Sequence, residues 1–361
     1  MNRKIFLIAS LILLAVGSIR AQGIVEGYPF DTPAEARAIS MGESFVALPS
    51  NPSALMYNPA GLVGLQGLTL SYSRRSLNAV SVIEDMMVYS LTGTVALPFG
   101  VFGFQYNRKL YGTFLVTTAE NPDGEYETTI YSYNVAVGFG TRLTNGLSLG
   151  AAAKYYSATF YQDPWYLFDF GLLYTLPPLH DRTAFTDSLS VGISVQDVYT
   201  PRNVTVGGYP VEEFLPEYFR LGIAYALLVP PHDESALTPI AVVVTGEYRN
   251  LLNDKAPLYN GRAYWGVGFE TTVFELLSLR AGATFSPYTS FDGERDRPAY
   301  RYGAGLNLPL RKLGAGIPLL VSINYAVEPL NQIVTNAFTG FSERSSLPSF
   351  SLDLHYETDI W

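Results

Sequence analysis

Eleven ionisable residues stand inside long apolar stretches of this chain: Lys109, Lys154, Asp169, Arg220, Glu247, Arg249, Glu270, Arg280, Arg301, Glu328 and Asp353. Each falls in step with Gly, Ser and Thr rather than with the apolar residues beside it. Residues of both signs so arranged can pair with one another and hydrate an interior, or line a path for an ion or ligand. Both readings stay open. Arg108, among Phe102, Phe104 and Tyr106, and Asp197, between Val195 and Tyr199, fall in the opposite step and read as charges near strand ends. Three histidines complete the inventory. His180 and His232 sit in proline-bounded turns, and His355 is in step with Asp353. Hydrolysis by a Ser-His-acid or Asp-His site needs partners at hydrogen-bond distance, and no nucleophile motif accompanies these histidines. No phosphate loop and no metal-spaced His pair is present. With no Cys there is no thiolate site or disulfide. Asp292-Gly293-Glu294-Arg295-Asp296 lacks the EF-hand spacing and reads as an exposed loop. The reading assigns no catalytic residue, no metal and no cofactor.

The elements that position these charges are strands. In 187–199, Leu189, Val191, Ile193, Val195 and Tyr199 alternate with Ser188, Ser190, Gly192, Ser194 and Gln196. In 299–308, Tyr300, Tyr302, Ala304, Leu306 and Leu308 alternate with Arg301, Gly303, Gly305 and Asn307. Successive strand residues face opposite sides, so each run has one apolar and one polar face. About fourteen such runs follow residue 67, centred near 72, 92, 106, 133, 154, 170, 193, 223, 244, 268, 282, 304, 323 and 352. Most are longer than the usual globular strand and long enough to cross a bilayer when tilted. A chain of 361 residues with 48% hydrophobic, 14% aromatic and 15% charged residues carries more apolar surface than a soluble fold needs. Its aromatic content excludes disorder. The pattern predicts an all-β fold, a fourteen-stranded antiparallel transmembrane barrel over 67–361. Such a barrel is the sheet that leaves no unpaired backbone in lipid.

Connections after odd-numbered runs are mostly long (77–86, 113–125, 200–216, 250–261, 286–298 and 329–346, with 161–165 the exception). Those after even-numbered runs are mostly short. This alternation predicts an outer-membrane barrel of a Gram-negative-type bacterium, with both chain ends in the periplasm. Asn2-Arg3-Lys4, the apolar run Ile5–Val16 and the small-residue zone ending at Ala21 form a secretory signal peptide over 1–21. Its removal takes three of 23 basic residues, leaving 20 against 32 acidic ones and a net charge of −12. That balance excludes nucleic acid as a partner and leaves outer-membrane lipid as the first one.

Residues 22–66 do not alternate. Thr32-Pro33-Ala34-Glu35 reads as a capping box opening a short helix from Ala34 to about Ser40, ended at Met41-Gly42. Asn51-Pro52 opens a second helix through Asn58, stopped by Pro59, and Gly61 permits a tight turn into the first strand. About 45 residues are too few for a core of their own, so 22–66 is expected inside the barrel as a hatch.

The stretch Ala36-Arg37-Ala38-Ile39-Ser40-Met41-Gly42-Glu43-Ser44-Phe45-Val46-Ala47-Leu48, followed by Ser53-Ala54-Leu55-Met56-Tyr57-Asn58-Pro59-Ala60-Gly61-Leu62, resembles the N-terminal signature of PorV/PorQ-type proteins. These are a branch of the FadL-type outer-membrane transport superfamily. Thr141 and Asn145–Tyr155 are similar to the same family's turn into the fifth strand. Glu43 and Ser44 stand where the family often has a second Gly and a small residue, and Ser50-Asn51 where it often has an Asp pair. The resemblance implies a fourteen-stranded barrel with its hatch in the lumen. Arg37, Met41, Gly42, Asn58, Pro59, Ala60, Gly61 and Leu62 form the hatch motif, read as structural rather than ligand-binding.

For function it implies passive uptake of small hydrophobic molecules through a lumen pocket, hatch movement and a lateral exit. The alternative is a partner or carrier of secreted proteins in the type IX route; a third reading is a purely structural barrel. An apolar lumen pocket reaching the hatch favours transport, and a sealed lumen with large ordered outer loops favours secretion. Phe214, Phe338 and Phe341 in 200–216 and 329–346 are the residues placed to line a mouth.

Overall fold

A computed structural model describes residues 32–356, apart from 78–85, 117–120, 122, 123, 125, 160–162, 183–184, 201, 207–208, 214, 232, 234–235, 253–262, 286–297 and 336–341. The signal-peptide stretch, residues 22–31, His232, the loop at Asp292 and the three loop phenylalanines lie outside the described residues. Fourteen long strands follow residue 67. They are β1 (Leu68–Ser76), β2 (Met87–Leu97), β3 (Gly100–Val116), β4 (Tyr126–Arg142), β5 (Leu147–Ala158), β6 (Trp165–Thr175) and β7 (Phe185–Val198). The second half comprises β8 (Tyr218–Val229), β9 (Ile240–Leu251), β10 (Ala263–Val273), β11 (Leu277–Phe285), β12 (Ala299–Pro309), β13 (Leu319–Thr335) and β14 (Ser342–Tyr356). Every strand pairs antiparallel with its sequence neighbours, and β14 pairs with β1 from Leu68↔Tyr356 to Arg75↔Ser349, which closes the barrel. A two-stranded hairpin, Arg202–Val206 with Tyr209–Glu213, stands on the β7–β8 connection. Among the described residues no helix is long and apolar enough to cross a membrane.

Alternation sets the two faces. In β6, Tyr166, Phe168, Phe170, Leu172 and Tyr174 are exposed, while Trp165, Leu167, Asp169 and Leu173 are buried. The same phase exposes Leu68, Leu70 and Tyr72 in β1 and Val267 and Phe269 in β10. Eight residue steps of about 3.4 Å, tilted by about 40°, give this band a height of about 20 Å, close to the apolar band of a barrel in lipid. Its rims are aromatic. Phe99, Phe102 and Phe139 pack together at the short-connection end. Tyr106, Tyr131, Tyr133, Tyr155 and Tyr166 make a chain of ring contacts towards the other end.

Four expectations are corrected. The connection expected at 329–346 is mostly ladder: β13 runs to Thr335, β14 starts at Ser342, and Pro329↔Ser346 and Ile333↔Arg344 are paired across a bulge. The first helix is Ala36–Ser40, and its cap is Glu35 itself, whose carboxylate accepts from the Arg37 and Ala38 amides. Thr32 instead accepts from Lys109 Nζ at 3.0 Å. The second expected helix is two short 3₁₀ turns, Pro52–Met56 capped by Asn51 and Pro59–Leu62 capped by Asn58. Pro59 therefore opens a turn rather than ending a helix. The left-handed residues between the second turn and β1 are Gly64 and Gly67, not Gly61.

Candidate functional site

Residues 32–66 run through the lumen and meet the wall where the wall lacks side chains. A Cβ on Gly171 would lie 1.9 Å from Asn58 Oδ1, on Gly150 2.2 Å from Ala60 N, on Gly192 2.1 Å from Val46 O and on Gly282 2.3 Å from Gly42 N. These distances are too short for any side chain, so the inward glycines of β5, β6, β7 and β11 are the seat of the segment. Gly42 has φ +64 and faces the Val267 and Ala283 carbonyls, so both its backbone conformation and its space exclude a Cβ. Apolar packing completes the seat. Met41, Phe45, Val46, Leu48 and Tyr57 cluster with Ala224; Leu55 and Leu62 cluster with Val101, Ala136 and Ala152.

Asn58 carries the strongest polar tie. Its Oδ1 accepts from Ala60 N, and its Nδ2 donates to Val46 O at 2.8 Å and to Leu172 O, in the wall, at 2.9 Å. The rest of the motif divides by role. Pro59 and Ala60 form the turn against Gly140 and Gly150, while Gly61 lies under Leu48 O. Leu62 and Met41 are buried hydrophobics, and Arg37 is the segment's cation.

The sequence-derived lumen charges assemble into three groups around this segment. In the first, Glu270 holds Arg37 in a two-pronged pair, 2.9 Å from Nε and 2.7 Å from a terminal nitrogen, and also accepts from Arg280. Arg280 continues to Asn324 and Asn324 to Asp353, which also accepts from Ser71. In the second, Arg301 pairs with Glu43 at 2.7 Å and with Glu328 at 2.9 Å, and Glu328 pairs with Arg75 at 2.6 Å. In the third, both Phe45 N and Val46 N donate to Glu247, which pairs with Arg220 at 2.8 Å. Arg220 reaches Gln196, which donates to Met56 O. Beyond it Lys154 lies between Asp169 at 2.7 Å and Asp197 at 2.8 Å. Lys109 donates to Thr32, and Arg249 lies over the Tyr218 and Tyr264 rings. Nine of the eleven lumen charges are buried; Arg249 and Asp353 are half-buried.

The position of Asp197 corrects the sequence reading. Alternation puts it on the outer face. A bulge in the β6–β7 ladder and a left-handed backbone at Asp197, φ +61, turn the residue inward onto Lys154. Arg108 stays outside, over the Tyr131 ring at 4.6 Å. Two functional-looking residues escaped the sequence reading. Arg75 shares a phase with Ser71 and Ser73, but the adjacent Arg74 hides it. Asp187 is buried and joins His180 Nδ1 at 2.8 Å and the Tyr225 hydroxyl at 2.9 Å, fixing the β6–β7 turn. His355 Nδ1 lies 2.8 Å from the Thr69 hydroxyl.

The field inside the barrel falls unevenly on the segment's carboxylates. Burial raises the Glu43 pKa, but Arg301 and then Arg249 outweigh it and hold the carboxyl below its usual range. Glu43 also takes a left-handed backbone, φ +56, where the ion pair holds it. Burial and then the Asp353 charge raise Glu35 to about 7.

A cavity of about 500 Å³ lies at the short-connection end, between the segment and β10–β14. Its lining includes Glu35, Arg37, Glu270, Glu275, Arg280, Lys312, Asp353 and His355, so ionisable groups of both signs face it. The inward apolar cluster is at the opposite end, where Tyr156, Ala158, Trp165 and Leu167 surround Leu215 and pack on Tyr199. Tyr199 donates its hydroxyl to Leu215 O and accepts from Leu215 N.

No family model and no curated protein matches the chain. Solved structures do. The toluene transporter TodX of Pseudomonas putida is 12% identical, with 93% of this chain and 100% of that chain covered and a TM-score of 0.50. The toluene transporter TbuX of Ralstonia pickettii is 11% identical, covering 92% and 99%, with a TM-score of 0.47. A FadL homologue of Pseudomonas aeruginosa is 11% identical, covering 91% and 100%, with a TM-score of 0.43. At such identities the likeness to TodX is one of fold alone, the closed antiparallel barrel.

Proposed function

We propose that this chain is an outer-membrane barrel that passes small hydrophobic molecules down their own gradient, with residues 22–66 as its hatch. The observation that carries the proposal is the closed barrel, a fold similar to that of a toluene transporter over 93% of this chain. Physical chemistry supports a route that avoids the charged lumen. Each buried CH₂ gains about 0.8 kcal/mol on leaving water, and a lumen crossed by ion pairs offers no such gain. The apolar cluster around Trp165 at the long-connection end does. The lipid-facing wall offers more. A hydrophobic solute therefore enters at that cluster and leaves sideways, at one of the places where the wall ladder is interrupted. Such interruptions occur in β3–β4 between Leu110 and Gly112, in β6–β7 at Asp197, and in β13–β14 between Pro329 and Ile333.

On this proposal a signal peptide is cleaved after Ala21 and both chain ends lie in the periplasm; sequencing the N-terminus of the membrane-extracted protein tests the cleavage. The chain works without a metal, cofactor or chemical step.

A second reading assigns the barrel to the PorV/PorQ branch, as a binding partner of proteins secreted by the type IX route. The signature at Ala36–Leu48 and Ser53–Leu62 and the ion-paired lumen favour it. Uptake assays with toluene separate the two: uptake supports transport, while its absence together with co-purification of secretion components supports the partner role.

A further inference from the structure

The transport reading leaves one pair of groups unused. Glu35 caps the helix Ala36–Ser40 and Asp353 stands on β14, and both line the 500 Å³ cavity at the short-connection end. Neither carboxyl makes an ion pair among the described residues. Glu35 is occupied by two backbone amides, and Asp353 by the hydroxyl of Ser71 and the amide of Asn324. The cations nearby are already engaged. Arg37 and Arg280 both serve Glu270 from β10, and Lys312 serves Glu275 on the neighbouring turns. On the far side of the segment, Arg75 and Arg301 serve Glu328, though Arg75 also donates to Pro33 O. His355 lines the same cavity and bonds Thr69. Of the four carboxyls lining this cavity, two make no ion pair among the described residues, one on the inner segment and one on the wall, with the local cations engaged by the other carboxyls.

We infer that Glu35 and Asp353 form a proton-operated latch, in which a proton held on Glu35 keeps the inner segment seated and its loss loosens the segment from the wall. No bond forms or breaks except that to the proton, which exchanges with water in the cavity. With the proton bound, Glu35 still offers an oxygen to the helix amides and presents no charge to Asp353. With the proton lost, two anions line one cavity, one on the segment and one on the wall. Burial raises the Glu35 pKa from 4.5 to about 7, with the Asp353 charge as the second cause, so the seated state binds this proton more tightly than a released one. Seating therefore loses strength as pH rises from about 4.5 to 7 and is at its weakest above that range.

The latch does not depend on the cargo, and its test reads the segment rather than transport. Hydrogen exchange of residues 32–66 is measured on the full chain in lipid nanodiscs from pH 5 to 8 and corrected for intrinsic exchange rates. The expected result is an opening constant that rises by up to about tenfold per pH unit below pH 7, with Glu35→Gln flat over the same range. A flat wild-type profile, or a Glu35→Gln profile that rises like the wild type, overturns the latch. Should Glu35→Gln fail to fold, Asp353→Asn decides: the latch predicts that the rise moves to lower pH, and an unmoved profile overturns it. The transport proposal stands or falls separately.

Discussion

Asn58 shows how much a single side chain does in this lumen and how little of it the sequence displays. Its capping of Ala60 is local and follows from an Asn before Pro59. Its bond to Leu172 O crosses 114 positions and has no local signal. The wall answers with Gly171, where a Cβ would fall 1.9 Å from the Asn58 oxygen. Gly171→Ala is therefore expected to unseat this part of the segment at a cost of about 1–3 kcal/mol, the scale of losing buried hydrogen bonds. The barrel itself should stay folded. Amide exchange of residues 58–63 alongside the barrel's gel mobility would check both halves of that statement.

Asp197 is the residue at which alternation misled, because neither Gly nor Pro announces its bulge. Asn tolerates the same left-handed backbone, so Asp197→Asn isolates the charge. The expected loss is about 1.5–3 kcal/mol, since Lys154 keeps Asp169 but gives up one charged hydrogen bond. Urea unfolding in lipid vesicles measures it.

Among the elements, the strands were the most legible, because a period of two is unmistakable over ten residues or more. All fourteen appear at their expected places, and phase accounts for the inward wall charges other than Asp197. Ends and irregularities were less legible. The extension of β13 past Pro329 is held by cross-strand pairing with β14, which no local pattern records. The helices of the inner segment were only partly legible for a similar reason. Five-residue turns gain little from propensity, and packing against wall glycines decides their form. Phase also makes a prediction. Phe170 lies outward in mid-strand, so Phe170→Arg should destabilise the barrel by about 2–4 kcal/mol. Phe170→Leu, which keeps an apolar surface, should cost far less, and the same vesicle unfolding assay compares the two.

For the whole molecule, low charge and high aromatic content have a physical location: one phase of fourteen strands, turned outward, with tyrosines and phenylalanines at its rims. What the sequence could not show is how the lumen is filled. Ion pairs between residues more than 200 positions apart, such as Arg37 with Glu270, follow from closure of the barrel and not from any motif. The resulting molecule has a charged, occupied interior, a cavity edged by ionisable groups at the short-connection end and an apolar cluster at the long-connection end.

That division is the reason for assigning it hydrophobic cargo and a sideways exit. Uptake of labelled toluene, compared with labelled glucose, by cells carrying this protein in their outer membrane tests the assignment most directly. Faster toluene entry than in cells carrying an unrelated barrel, with glucose entry unchanged, is the predicted result. Equal toluene entry in the two, with the protein folded and present in the membrane, would contradict it.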